Sequence, residues 1–179
     1  MVSYVSPIKP RKMEGGEYCV AVVSEAEARF FSLEPVEFPE LESGPKLELK
    51  DEIENPEKRL PDRELFTEAK TGRGRAPRGG PAHGYDDHRS RHHEELDKRF
   101  SREAVEKAKN VAKAAKARQV IMAAPPKMLG ILRDEFHVLE REGLEVVECP
   151  KDMAKLSSQE IHERLAKDGL LPPRKRPGK

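Results

Sequence analysis

Short apolar runs near the start of the chain alternate with polar steps, as β-strands require. Residues 19–23 and 28–33 form two such runs, and their close spacing predicts a β-hairpin. A third segment, KLELKDEIEN at residues 46–55, alternates apolar with charged residues. It predicts a strand with one face in water and with Leu47, Leu49 and Ile53 on the other face.

Apolar residues recur every three or four positions in the middle of the chain, which is the period of a helix. They are Leu96, Phe100, Ala104, Ala108, Val111 and Ala115. This spacing places them on one face of a long helix that begins at about Asp87. Acid-before-base pairs four residues apart are expected to stabilise this helix as ion pairs; they are Glu94/Lys98, Glu95/Arg99 and Glu103/Lys107. Asp86 or Asp87 is expected to cap its first turn.

The last third of the chain alternates strand and helix patterns. RQVIMAAPP at residues 118–126 is continuously apolar from Val120 onward, which predicts a central strand covered on both faces, and residues 143–149 predict another strand. Pro125 and Pro126 end the first strand and open a helix, and Ser157 with Glu160 has the spacing of a capping box before a final helix. The apolar positions expected to be buried on these helices are Met128, Leu129, Leu132, Phe136, Ile161 and Leu165.

The order of elements is three strands, a long loop, and then helix, strand, helix, strand, helix. This order predicts an α/β fold with a mixed sheet of about five strands and flanking helices, as in ribonuclease-H-like proteins. With 179 residues, we expect a single domain over residues 17–170. A flexible extension at 1–16, a long loop at about 55–86 rich in glycine, arginine and histidine, and a frayed basic tail at 171–179 complete the expected organisation.

Charge is distributed unevenly along the chain. Residues 1–64 contain nine Lys/Arg and fifteen Asp/Glu, a net charge of −6, whereas residues 65–118 contain fourteen and eight, a net charge of +6. A basic centre favours an anionic partner, although basic runs are also common on ordinary solvated surfaces.

The sequence lacks the signals of secretion and of metal-binding cysteines. The first sixteen residues, MVSYVSPIKPRKMEGG, have no apolar core of a signal peptide, and no apolar run approaches the length of a membrane span. Cys19 and Cys149 lie in strand-like runs outside any CxxC motif, so we expect buried thiols. These features predict a cytoplasmic protein with no membrane partner.

Four motifs resemble a bacterial family of proteins required for attachment to host cells. The resemblance covers about residues 18–166, and its most specific part is APPKMLGILR at residues 124–133. Supporting motifs in the same order are Arg63-Glu64-Leu65, Gly72-Arg73 and CPKDMAKLSSQEIHERL at residues 149–165.

That family is similar in turn to the middle domain of archaeal and eukaryotic class-one peptide chain release factors. This resemblance implies the ribonuclease-H-like fold and a ribosomal partner. The release factors carry a Gly-Gly-Gln motif in the loop before the long helix, where this chain has Gly79-Gly80-Pro81. Proline has no backbone N–H and no side-chain amide, so the release-factor mechanism of peptidyl-tRNA hydrolysis is not expected here.

The other recognisable chemistries are poorly supported. His83, His88, His92 and His93 with Asp86 and Asp87 form a cluster that a metal-dependent hydrolase could use, but a glycine-rich approach does not hold ligands rigidly. There is no GxSxG elbow and no phosphate-binding GxxxxGK[ST] motif. The inward positions Val20, Val22, Phe30, Val120 and Met122 are apolar, which argues against a two-metal nuclease. We predict no catalytic residue, metal site or cofactor, and the hydrolase stays as the alternative.

The glycine and arginine tract at residues 72–84 has the composition of a segment that follows an RNA backbone. We therefore predict non-catalytic binding to the ribosome or to structured RNA, in translation or stress regulation, and no DNA partner. The residues expected to contact RNA are Arg73, Arg75, Arg78, Gly79, Gly80, His83, Arg89 and Arg91. A disordered linker and a protein-interaction module are the alternatives, and the sequence leaves the oligomeric state open.

Overall fold

The computed structural model describes residues 17–59 and 83–178, with the backbone alone at residues 59 and 83–89. The strands are β1 (Tyr18–Val23), β2 (Glu27–Glu34), β3 (Lys46–Glu54), β4 (Gln119–Ala123) and β5 (Glu145–Cys149). They form one sheet in the order β3-β2-β1-β4-β5, in which β1 pairs antiparallel with β2 and parallel with β4. This α/β fold with a mixed sheet confirms the predicted class and is consistent with a ribonuclease-H-like topology.

Helices cover both faces of this sheet. They are α1 (Pro56–Arg59), α2 (His83–Ala114), α3 (Pro126–Arg133), α4 (His137–Arg141) and α5 (Ser158–Lys167). Side chains of α2, α3 and α4 form one apolar core with the sheet, and side chains of α5 form a second core on the opposite face.

The central strands are buried on both faces, as their continuously apolar sequences predicted. Val120 and Met122 of β4 point into the α2 core with Phe30, whereas Val20 and Val22 of β1 point into the α5 core. All five of these predicted inward positions are buried. They divide between two cores because successive side chains of a strand alternate between faces.

Leu47 and Leu49 share one face of β3 as predicted, but the prediction that Ile53 lies on the same face is wrong. Phe30 of β2 lies opposite Asp51, and its neighbour Phe31 lies opposite Leu49, so one residue of β3 is extra. Such a bulge exchanges the faces of every residue beyond it. Leu47 consequently packs in the α5 core, while Ile53 packs against the α2 core.

The ends of α3 and α5 follow their predicted signals. Pro125 precedes α3, and Met128, Leu129 and Leu132 are buried. Ser157 accepts a hydrogen bond from the Glu160 backbone N–H, and the Glu160 side chain accepts one from the Ser157 N–H. The capping box is therefore confirmed.

The long helix begins earlier than the sequence analysis expected. It starts at His83 rather than at about Asp87. Asp86 and Asp87 are the fourth and fifth residues of α2 and do not occupy its cap position. A glycine at position 84 lowers helix propensity, which explains why the pattern alone placed the start too late.

The C-terminal segment packs against the rest of the protein over residues 171–175, where fraying was expected. Leu171 is buried, the Lys175 backbone pairs with Gly44 in both directions, and the Arg174 guanidinium donates to the Ser43 carbonyl oxygen. This docking could not be predicted, because apolar residues in the proline-rich segment do not recur with the period of a strand or of a helix.

Candidate nucleic-acid interface

Most of the first half of α2 precedes the apolar core that the helix shares with the sheet, although Leu96 and Asp97 are buried as well. The core that α2 shares with the sheet begins at Phe100 and continues through Ala104, Ala108 and Val111, whereas the helix starts at His83. At a rise of about 1.5 Å per residue, roughly 25 Å of helix precedes Phe100. Ser90, Arg91 and His92 in this part are exposed.

Between residues 91 and 102, the exposed side of α2 has more basic residues than acidic ones, which are Glu94 and Glu95. We define the α2 basic surface as the exposed residues Arg91, His92, Lys98, Arg99 and Arg102. At 100° per residue, the midpoint of these five lies nearly opposite the midpoint of the core residues. Amphipathicity therefore separates the two groups, with apolar side chains inside and cations in water.

A shallow depression of about 370 Å³ lies within this surface. Its lining residues are His92, Glu95, Leu96, Lys98, Arg99 and Arg102. Leu96 is only 9% exposed, whereas Lys98, Arg99 and Arg102 are exposed. Long basic side chains of this kind can lay their aliphatic stems on apolar surface while their charged ends stay in water. One carboxylate, that of Glu95, is present among these four basic side chains.

The cations of the α2 basic surface are only partly neutralised. The Arg102 Nε donates to the Glu135 carboxylate at 3.1 Å, yet the Arg102 side chain is 68% exposed. Within the described parts of the chain, Lys98 and Arg99 have no carboxylate oxygen within 4.0 Å. Exposed guanidinium and ammonium groups that lack a protein partner suit phosphate oxygens.

A chain of alternating charges lies beneath this part of α2, and we call it the loop-base network. Asp97 is buried, and its Oδ1 lies 3.4 Å from the Lys58 Nζ of α1. Lys58 also lies 3.5 Å from the carboxylate of Glu25 in the β1–β2 turn, and Glu25 lies 3.6 Å from Lys127 at the start of α3. The network joins α1, immediately before residues 60–82, to the middle of α2.

Further hydrogen bonds hold α1 at this end of the sheet. The buried Asn55 donates from its side chain to the Glu25 carbonyl oxygen at 3.0 Å, and its backbone N–H donates to the Ala26 carbonyl oxygen. Residues 60–82 therefore begin from a segment that is fixed to the core.

The residues predicted to contact RNA divide into two groups. His83, Arg89 and Arg91 lie on α2, so the assignment of His83 to a loop is wrong. Arg91 is exposed, and the side chains of the other two are not described. Arg73, Arg75, Arg78, Gly79 and Gly80 lie outside the described residues.

The sequence analysis missed Lys98, Arg99 and Arg102. It assigned Lys98 and Arg99 to ion pairs with Glu94 and Glu95, but no such pair within 4.0 Å occurs among the described residues. The sequence did contain a signal for this basic surface, because the spacing of these three basic residues places them away from the apolar stripe of the same helix.

The two cysteines show no sign of reactivity. Cys19 and Cys149 are both buried, as predicted, and both thiols are free. Burial raises the pKa of Cys19 to about 12 and also raises that of Cys149. A thiol with a raised pKa holds little nucleophilic thiolate near neutral pH.

The described side chains contain no candidate metal centre. Across residues 17–58 and 90–178, no three His, Cys, Asp or Glu side chains converge as metal ligands. His92 belongs to the α2 basic surface, and the side chain of its proposed metal partner His88 is not described. No helix in these ranges is both long and apolar enough to cross a membrane.

A family model described as "protein required for attachment to host cells" matches residues 19–165. The chain belongs to this family. The matched range includes all five strands of the sheet in whole or nearly so, the loop-base network and the α2 basic surface of this host-attachment protein. No curated protein matches the chain.

Proposed function

We propose that this host-attachment family protein binds structured RNA, with the ribosome as its expected partner, and that it does so without catalysis. The observation that carries the proposal is the α2 basic surface, where Lys98, Arg99 and Arg102 surround an exposed depression. Phosphate contacts supply most of the affinity of proteins for nucleic acids, and Lys and Arg provide them.

The neighbouring sequence supports an extended interface. Residues 65–82 contain Lys70, Arg73, Arg75 and Arg78, and they precede the helix that carries the basic surface. Glycines between the arginines suit close approach to a backbone. In this proposal Arg73, Arg75, Arg78, Gly79 and Gly80 extend the interface, and His83, Arg89 and Arg91 continue it along α2.

The resemblance to release-factor middle domains favours the ribosome as the RNA partner. Pro81 stands where those proteins place the residue whose backbone N–H assists peptidyl-tRNA hydrolysis. Since proline has no N–H, the proposed role is recognition, and a contribution to translation or stress regulation would follow from occupancy of the ribosome.

Co-sedimentation with purified ribosomes tests this proposal. The wild-type protein is expected to pellet with ribosomes at low salt and to be released at moderate salt, because counterions compete for phosphate. Replacing Lys98, Arg99 and Arg102 with alanine should lower the affinity by roughly 10- to 100-fold, at a tenfold change per 1.4 kcal/mol.

A matched control variant removes three positive charges from a surface far from α2. Lys155, Arg164 and Lys167 are exposed on the α5 side of the sheet, and their replacement with alanine should leave binding nearly unchanged. Equal loss in both triple variants would mean that only net charge matters. Absence of binding by the wild-type protein at low salt would refute the proposal.

A further inference from the structure

The loop between β2 and β3 exposes two large apolar side chains on an ordered turn. The Phe38 carbonyl oxygen accepts hydrogen bonds from the backbone N–H groups of Leu41 at 2.9 Å and Glu42 at 2.8 Å. These bonds form one helix-like turn, which places residues three apart on the same side. Phe38 is 53% exposed and Leu41 is 77% exposed.

The base of this turn is held firmly. Val36 packs so closely on Gly44 that a Cβ at position 44 would lie 2.6 Å from a Val36 methyl carbon. The Gly44 and Lys175 backbones exchange two hydrogen bonds, of 3.2 and 2.7 Å, and Arg174 holds the Ser43 carbonyl oxygen. A turn ordered in advance loses little entropy on binding, so its apolar side chains suit a docking contact.

The same turn is acidic. We define the acidic turn as residues 37–42, in which Glu37, Glu40 and Glu42 are exposed around Phe38 and Leu41. The partner that fits it has an apolar centre surrounded by cations. The depression on α2 comes near that composition: Lys98, Arg99 and Arg102 line it together with Leu96, which is 9% exposed, and with one carboxylate, that of Glu95.

The two surfaces lie at opposite ends of the sheet, so they cannot meet within one molecule. The acidic turn follows the end of β2, next to the amino end of β1, since Ser32 pairs with Cys19. The α2 depression lies near the loop-base network, where Asp97 connects through Lys58 to Glu25 beyond the carboxyl end of β1. The six residues of β1 alone separate these ends by about 20 Å.

We propose that the acidic turn of one molecule docks into the α2 depression of a second copy of this chain. Phe38 and Leu41 contact the apolar centre of the depression, and the glutamates pair with Lys98, Arg99 and Arg102. Because different surfaces meet, the contact is heterologous, and successive copies add head to tail. The contact itself is independent of RNA; only the consequence that RNA competes for the same depression rests on the proposed function.

Sedimentation velocity of the purified full chain tests the inference. The wild-type protein is expected to show a mass that rises with concentration at low ionic strength and falls with added salt, because the pairing charges are exposed. Two variants remove one surface each: a turn variant, Phe38→Ser with Leu41→Ser, and a helix variant, Lys98→Ala with Arg99→Ala and Arg102→Ala. Each should be monomeric alone, with an unchanged circular dichroism spectrum.

Mixing the two variants gives the sharpest readout. The turn variant retains the depression and the helix variant retains the acidic turn, so an equimolar mixture should form a 1:1 dimer and nothing larger. Leu49→Ser is the matched control, since Leu49 is 45% exposed but lies on β3 outside the acidic turn, and it should associate like the wild type. A monomeric wild type, a mixture that stays monomeric, or association that survives either variant would overturn the inference.

Failure of this inference is distinguishable from failure of the proposed function. The turn variant should bind ribosomes at least as tightly as the wild type, because Phe38 and Leu41 lie outside the α2 basic surface and no second copy then competes for the depression. Self-association without any ribosome binding would retain the inference and refute the RNA proposal. If both hold, structured RNA should dissociate wild-type assemblies into monomers.

Discussion

The loop-base network predicts that replacing Lys58 and replacing Asp97 lower the stability of the protein by different amounts. Lys58→Met leaves the Asp97 carboxylate, 3% exposed, without the ammonium that lies 3.4 Å away. Asp97→Asn leaves Lys58 near the Glu25 carboxylate at 3.5 Å, with a side chain that is 21% exposed. Loss of the lysine should therefore destabilise the protein more than loss of the aspartate.

The magnitude follows from burial and distance. At an effective dielectric constant of about 20, unit charges at this separation attract by roughly 5 kcal/mol before the cost of desolvation is subtracted. Stranding a buried charge costs about 3 to 5 kcal/mol, and we expect about 3 kcal/mol for Lys58→Met because the pair lies near solvent. For Asp97→Asn we expect about 1 kcal/mol, since Lys58 is partly exposed and keeps Glu25 as a second partner.

Urea unfolding followed by circular dichroism at 222 nm measures these differences. The double variant Lys58→Met with Asp97→Leu should be more stable than Lys58→Met alone, because it strands no charge. Lys127→Met is the control: Lys127 is exposed and lies 3.6 Å from Glu25, so less than about 0.5 kcal/mol is expected. The reasoning is refuted if Asp97→Asn costs as much as Lys58→Met, or if the double variant is the least stable.

Three further changes test other parts of the fold. Arg29→Ala should destabilise the protein by about 2 to 3 kcal/mol in urea unfolding, because one guanidinium nitrogen holds three carbonyl oxygens of the β5–α5 connection; no change would contradict this. Gly44→Ala should lower the melting temperature by roughly 2 to 8 °C, at about 1 to 2 kcal/mol, since the added Cβ overlaps Val36; an unchanged value would show that the turn relaxes freely. Burial, together with the Arg174 charge, lowers the pKa of His162 below 6.5 in the folded state. As pH falls below about 6.5, the histidine is therefore protonated in the unfolded chain before it is protonated in the folded protein, which favours unfolding. Over this pH range the free energy of unfolding should fall more for the wild type than for His162→Gln; parallel pH profiles of the two proteins would exclude this.

The fold was largely predictable, because apolar residues in the sequence recur clearly with the periods of strands and helices. Continuous apolar residues at 120–124 predicted a central strand, and the Ser157 capping box predicted the start of α5. The bulge opposite Phe30 could not be predicted, since alternation along β3 continues without interruption in the sequence. Register there depends on packing across the sheet, which a one-dimensional pattern does not contain.

The candidate site was only partly predictable for a related reason. RNA contacts were predicted mainly for the arginines that lie between glycines. Lys98 and Arg99 of the α2 basic surface were instead interpreted as members of ion pairs within the helix. Whether Lys98 pairs with a glutamate four residues earlier or faces solvent depends on rotamers and neighbours. The loop-base network depends on contacts between α1, α2 and the β1–β2 turn, which are distant in sequence.

The salt dependence of RNA binding tests the central claim most directly. Affinity for a structured ribosomal RNA fragment is measured by fluorescence anisotropy over a range of salt concentrations, for the wild type and for the variant with alanine at positions 98, 99 and 102. If these side chains contact phosphates, the slope of log affinity against log salt should decrease by about 2 to 3 in the variant. An unchanged slope, with the α5-side control variant behaving identically, would contradict the claim that the α2 basic surface binds RNA.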